Sequence, residues 1–333
     1  MTIDVHAHCV PIDVIKTLVA EGGRYGIEVI EQDGRDAVLI AGRVQTRPIL
    51  PALLDLPRRL AAMDATGVEV QVLSSWIDLT AYALDGAVGS RYARMFNEAL
   101  AATVATAPQR FRAVATVPLQ SPERAATELR HAVTTLGLVG VEIATTVEGA
   151  ELDDPGLEPF WAAVEELRCL VVVHPYASLT GRNLTRYGLD NLVGNPAETT
   201  IALGHLVFGG VLERHPHLRV CLVHGGGFAP YQVGRWDHGF HTGARGAAEH
   251  LTRSPSEWMR GLYFDTVLHS PLSLRHLIDV VGVQQVVLGS DYPFQMGEPA
   301  PVEAVGCVAG LGDHDRALVL HGNLAAVLEE VRR

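Results

Sequence analysis

Eight short runs of aliphatic and β-branched residues recur along the chain, at residues 3–7, 70–74, 112–117, 140–144, 170–174, 219–224, 262–265 and 285–289. Between them lie longer stretches whose apolar residues fall at helical spacing, at 58–65, 90–105, 122–136, 157–167, 197–213 and 272–281. Several of these open on start signals such as Ser121-Pro122-Glu123 and Asp154-Pro155. Parallel strands need a long crossover, and a helix is its usual form. Eight strand runs with helices between them in 333 residues predict an α/β chain folded as a (β/α)8 TIM barrel. The other arrangement is a doubly wound open sheet. Its mark is a glycine-rich phosphate turn after the first strand, and here "HCVPID" follows instead.

One region breaks the alternation. "YGIEVIEQDGRDAVLIAGRV", residues 25–44, holds two strand-like runs around Asp33-Gly34, a two-residue hairpin signal. Residues 22–48 are therefore expected to form a small β-hairpin insertion after strand 1, near the barrel mouth. No repeat, linker or low-complexity run follows, so residues 1–333 are expected to form a single domain.

Charge narrows the partners. Lys plus Arg total 26 against 38 Asp plus Glu, a net −12, which disfavours nucleic acid and anionic membrane surfaces but not a small anionic substrate. The longest charge-free apolar stretch, 199–212, is too short to span a bilayer, and the start lacks a secretory pattern, so a cytoplasmic protein is expected. Cys9, Cys169, Cys221 and Cys307 show no C-x-x-C spacing, and three lie in or beside apolar runs, as buried reduced thiols do. Lys16 is the sole lysine, which excludes two ions bridged by a carboxylated lysine on a later strand.

In a barrel the chemistry sits at the carboxyl ends of the strands. There the sequence puts His6 and His8 ("DVHAH"), His174 ("VVVHP"), His224 ("VHGGG") and Asp291 ("GSDYP"). Strand alternation turns His6 and His8 to one face. With His174 and Asp291 they make three nitrogens and one anionic oxygen, a ligand set for one divalent metal ion per chain. Zinc fits it best, with Mn2+, Fe2+ or Co2+ also accommodated. His224 is left over as a general acid or base. Arg47 and Arg235 could each clamp a substrate carboxylate. The second H-x-H, His215 and His217, falls at a strand's amino end and is expected at the surface, away from the site. His269 and His314 have no supporting pattern, though His269 follows strand 7 and could line the site.

"DVHAH", "AMDATGVEVQVLS", "PQRF", "VPLQ", "VVVHP", "VHGGG" and "LGSDYPF" together resemble the amidohydrolase-related superfamily. The branch they resemble most is that of 2-amino-3-carboxymuconate-6-semialdehyde decarboxylase and its aromatic-acid decarboxylase relatives. The resemblance runs from about residue 3 to residue 323. It implies a (β/α)8 fold with one ion, usually zinc, held by His6, His8, His174 and Asp291, and His224 acting beside it without being a ligand. It implies that Arg47 binds a substrate carboxylate, that Phe294 walls a flat substrate, and that Arg235 crosses into the partner site of a homodimer. The pattern departs at Tyr176, where that decarboxylase has tryptophan, at Gly243, near the place of a second arginine, and along residues 177–193.

The expected function is a metal-dependent nonoxidative decarboxylase of an unsaturated or aromatic carboxylic acid, of the carboxymuconate-semialdehyde or hydroxy- or aminobenzoate type. His224 and Asp291 would manage the proton that replaces CO2. The alternative is hydrolysis or hydration of an amide, lactone or ring-cleavage product by water activated at the same ion. A binding protein that kept the fold but lost the chemistry would have no use for four ligands.

Overall fold

The computed structural model describes residues 1–176 and 183–331. Eight parallel strands form its centre: β1 (Ile3–His8), β2 (Val70–Ser74), β3 (Phe111–Ala113), β4 (Gly140–Ala144), β5 (Leu170–His174), β6 (Arg219–Leu222), β7 (Tyr263–Asp265) and β8 (Val286–Val287). They pair as a three-stranded sheet, β1-β2-β3, and a five-stranded sheet, β8-β7-β6-β5-β4. Backbone hydrogen bonds also run between the sheets at both edges. Ala115 N donates to Gly140 O and Glu142 N to Ala115 O on one side, and Val5 N to Leu288 O and Asp291 N to His6 O on the other. This is an α/β fold consistent with a (β/α)8 barrel.

The connections are helical: α1 (Ile12–Glu21), α2 (Leu56–Thr66), α3 (Gly86–Thr106), α4 (Pro122–Thr134), α5 (Glu158–Leu167), α6 (Asn195–Phe208), α7 (Ala229–Thr242), α8 (Pro271–Val281) and, after β8, α9 (Asn323–Glu330). Their ends follow local chemistry. Asp55 caps α2 by accepting from Arg58 N, and Gly67 closes it at φ 73°. Asp85 caps α3 by accepting from Ala87 N and Val88 N. The stretch expected as one helix over 197–213 divides instead, because Gly210 adopts φ 70° and a separate turn, Val211–Arg214, follows it. Within 22–48, Ile27–Gln32 and Arg35–Ile40 pair antiparallel, and Asp33 and Gly34 both take the positive φ of a two-residue hairpin turn. Among the described residues no helix is long and apolar enough to cross a membrane. Cys9, Cys169 and Cys221 are buried, Cys307 is exposed, and all four are free.

The strands separate two apolar layers. One packs the helices on the outer strand face. The other fills the interior with Ile3, Val5, Val70, Val72, Val114, Leu170, Val172 and Cys221, and α9 adds Leu324, Val327 and Leu328 to it. Residues alternate along a strand, so Leu170 and Val172 put His174 on the interior side at the carboxyl end of β5. On β1 plain alternation from Ile3 and Val5 would turn His6 and His8 outward. The β1–β2 register shifts between Asp4 and Ala7, and this irregularity returns both histidines to the interior.

Candidate metal centre and active site

Each of the three strand-end imidazoles is held at Nδ1 by an acceptor. For His6 it is Oδ2 of Asp265 at 2.7 Å. For His8 it is the Ser75 carbonyl at 2.9 Å, and for His174 the Pro175 carbonyl at 2.9 Å. An acceptor at Nδ1 requires the proton there, so in the neutral ring the lone pair of each is on Nε2. The Nε2 atoms of His6 and His8 face one another at 3.1 Å. Oδ1 of Asp291 lies 3.4 Å from the first and 3.3 Å from the second, buried and without a hydrogen-bond partner. One ligand atom each from His6, His8, His174 and Asp291 falls within 4.8 Å of the others, and all four residues are buried. Lone pairs and a carboxylate oxygen crowded this way repel unless a proton or cation lies among them. The donor set fits a divalent ion.

The electrostatics agree. Burial pulls the His6 imidazole down, but Asp291 and the hydrogen-bonded Asp265 outweigh it and raise its pKa to about 9. Burial, with His8 and His6 nearby, drives His174 well below the ordinary range. Burial would raise the Asp291 carboxyl, yet His6, His224 and His8 hold it well below the usual carboxylate value.

His224 stands in the turn that follows β6, at φ 53°, with Gly225 at 59° and Gly226 at 76° behind it. A Cβ on Gly226 would lie 2.7 Å from the Phe264 ring, and one on Gly227 2.0 Å from the Pro196 carbonyl oxygen, so this turn requires its glycines. Nε2 of His224 is 3.7 Å from Oδ2 of Asp291, while its Nδ1 is buried without a partner. The two oxygens of Asp291 thus face different ways, Oδ1 towards the His6 and His8 imidazoles and Oδ2 towards His224. A cavity of about 100 Å³ opens there, lined by His224, Asp291, His269, Asn191, Asn195 and Met296. A wider groove of about 950 Å³, between α1 and the Ile27–Gln32 strand, is lined by no histidine or cysteine.

Of the other residues singled out in the sequence, Phe294 and Arg47 are close by. The Phe294 ring is 5.3 Å from that of His8 and 6.2 Å from that of Trp76. The Arg47 guanidinium lies 5.2 Å from the Trp76 ring centre and 5.9 Å from that of Phe294. It already has a carboxylate, since Nε and Nη2 donate to the two oxygens of Asp78 at 3.0 Å and 2.8 Å. Burial opposes its charge, but Asp78 more than compensates and raises its pKa. Arg235 is exposed on α7 and has no hydrogen bond or ion pair among the described residues. Tyr176 is half-buried, and residues 177–182 of the divergent stretch lie outside the described residues.

Three acids escaped the sequence argument. Asp265 holds His6. Glu142, fully buried on β4, puts Oε1 3.7 Å from Nδ1 of His8 and accepts from the Ser75 hydroxyl, and burial raises its pKa. Asp78 holds Arg47. The available signal for the first two was a single acid inside an apolar strand run, "GVEIA" and "LYFDT". The second H-x-H is only half exposed: His217 faces solvent, but His215 is buried, with its nitrogens 3.0 Å from Glu165 Oε2 and 2.8 Å from Glu158 Oε1. A helix-borne acid pair clamps that ring and draws it inward.

The amidohydrolase family profile (Amidohydro_2) matches residues 3–329. The 2-amino-3-carboxymuconate-6-semialdehyde decarboxylase of Dictyostelium discoideum is 33% identical over 265 residues, covering 80% of this chain and 74% of that protein. The crystal structure of 5-carboxyvanillate decarboxylase from Sphingomonas paucimobilis superposes with a TM-score of 0.84 at 26% identity, over 98% of each chain. A dihydroxybenzoic acid decarboxylase from Polaromonas sp. JS666, solved with bound manganese and 2-nitroresorcinol, shares the fold, with a TM-score of 0.76 at 24% identity over 100% of this chain and 97% of that one. With a family profile spanning nearly its whole sequence and a relative one-third identical, the chain belongs to the amidohydrolase family.

Proposed function

We propose that this protein is a metal-dependent nonoxidative decarboxylase of an unsaturated or aromatic carboxylic acid, built as a single (β/α)8 barrel with residues 22–48 as an insertion. The observation that carries it is the divided carboxylate of Asp291, with Oδ1 facing the His6 and His8 imidazoles and Oδ2 facing His224. His6, His8, His174 and Asp291 would hold the ion, which we assign first to zinc, with manganese, iron(II) and cobalt(II) suited to the same donors. A divalent ion bound there supplies positive charge beside the carbon that becomes electron-rich as CO2 leaves.

The chain's own groups do the rest. Phe294 offers a ring face to a flat substrate, and Arg47 beside it offers a cation to its carboxylate. The C–C bond to the carboxylate breaks, its electron pair stays on carbon, and a C–H bond forms with a proton delivered from Nε2 of His224. Asp291 Oδ2 faces that nitrogen and steadies the imidazolium form. Two features of α7 and the residue before it support a homodimer with Arg235 reaching the partner's site: Arg235 has no partner among the described residues, and Tyr231 and Phe228 are 76% and 44% exposed.

The test is CO2 release from hydroxybenzoic, aminobenzoic and carboxymuconate-type acids by protein of measured metal content. Release that vanishes in His224→Ala supports the proposal. An inert panel, with one ion bound per chain, would transfer the assignment to hydrolysis or hydration.

A further inference from the structure

Asp265 ends β7 fully buried, and three hydrogen bonds converge on it. Oδ2 accepts from Nδ1 of His6 at 2.7 Å. Oδ1 accepts from the Gly225 amide at 2.8 Å and the Val267 amide at 3.1 Å. The first bond reaches β1; the second reaches the turn after β6 that carries His224. Gly289 leaves room for this carboxylate, since a Cβ there would lie 2.9 Å from Cβ of Asp265.

We infer that Asp265 is a positioning residue that sets two functional groups at once: the ligand-competent tautomer of His6 and the backbone pose of His224. This rests on the proposed ion site.

The two halves follow from hydrogen-bond polarity. A carboxylate can only accept, so His6 must carry its proton on Nδ1 and keep the lone pair of Nε2 pointing at His8 and Asp291. Nδ1 of His8 and of His174 hydrogen-bonds to a backbone carbonyl, whereas Nδ1 of His6 hydrogen-bonds to a carboxylate, which strengthens its donor nitrogen. In the turn, Gly226 N is satisfied by Val223 O and Gly227 N by His224 O. The Gly225 amide, at a buried residue, finds its acceptor only in Asp265 among the described residues. Remove that acceptor and the left-handed pair His224-Gly225 loses the bond that fixes it.

Two substitutions separate the halves. Asp265→Asn keeps an oxygen for the two amides but turns an NH2 towards His6, which must then accept at Nδ1 and carry its proton on Nε2. Asp265→Ala removes the acceptor altogether. Zn2+ affinity would be measured by chelator competition, and amide exchange of residues 224–227 on metal-free protein, with circular dichroism and melting of every form. The expected result for Asp265→Asn is a native metal-free fold, wild-type exchange at 224–227 and a Zn2+ dissociation constant raised about 10–100-fold. Asp265→Ala should speed exchange at 224–227 selectively, and Asp265→Ser replaces it if it does not fold. Wild-type Zn2+ affinity in Asp265→Asn, or unchanged exchange in the truncated variant, would overturn the inference. If wild-type protein binds no ion, the proposed function fails instead, and the exchange measurement still decides the turn.

Discussion

Ion binding at this site should be proton-coupled, with His6 as the coupling group. Burial opposes charge on that imidazole, but Asp291 and Asp265 prevail and place its pKa at about 9 in the metal-free protein. A histidine ligates only when neutral, so the ion must expel that proton. At neutral pH, roughly two units below the pKa, the competition weakens binding about 100-fold, or ~3 kcal/mol at about 1.4 kcal/mol per unit. His174 adds nothing to this, because burial, with His8 and His6 nearby, drives its pKa well below the ordinary range. Titration calorimetry with Zn2+ at pH 6, 7 and 8, each in two buffers of different ionisation heat, reads both the dissociation constant and the protons released. The expected outcome is a dissociation constant that falls about tenfold per pH unit, with about one proton released per ion from this group. A constant affinity over that range with no proton released would refute the reasoning. Without the ion the sign reverses. A raised histidine pKa stabilises the fold fully below pH 6.5, and that contribution is lost as pH rises through about 9.

His6→Ala and Asp291→Ala should each abolish stoichiometric ion retention after dialysis, read by elemental analysis, and full retention in both would remove them as ligands. His224→Ala should keep ion and fold yet lose about 10²–10⁴-fold in kcat, the usual contribution of a general acid or base. Arg47→Ala should raise KM for a carboxylate substrate far more than it lowers kcat, which steady-state kinetics separates. Asp85→Ala should cost about 1 kcal/mol of stability in urea unfolding, since it leaves the Ala87 and Val88 amides of α3 uncapped.

The four clustered residues proposed as ligands were legible because they lie at or near the ends of apolar strand runs, where an imidazole or a carboxylate has little reason to be unless something binds it. The eight strand positions were legible for the same cause, the burial of both strand faces, which makes them read as unbroken β-branched runs such as "LVVVH". What stayed hidden depends on contacts between distant segments. Asp265 and His6 are 259 positions apart. The register shift that turns His6 inward belongs to the pairing of β1 with β2 and leaves no mark in "IDVHAH" itself. Asp78 reads as an ordinary loop acid until Arg47 is seen gripping both its oxygens. Strands also came out shorter than their apolar runs, as with Phe111–Ala113 and Val286–Val287, because hydrophobic pattern reports burial while a strand ends where its ladder ends.

The Arg47–Asp78 pair has a kinetic consequence. Together the two residues carry no net charge, so on a chain of −12 overall the mouth projects little attraction for an anion beyond contact distance. With Arg47 as the proposed carboxylate clamp, substrate capture becomes an exchange of partners, with one carboxylate replacing or joining another on the same guanidinium. The encounter rate should gain nothing from low ionic strength, and discrimination among acids falls to the lifetime of the bound state rather than to the frequency of arrival.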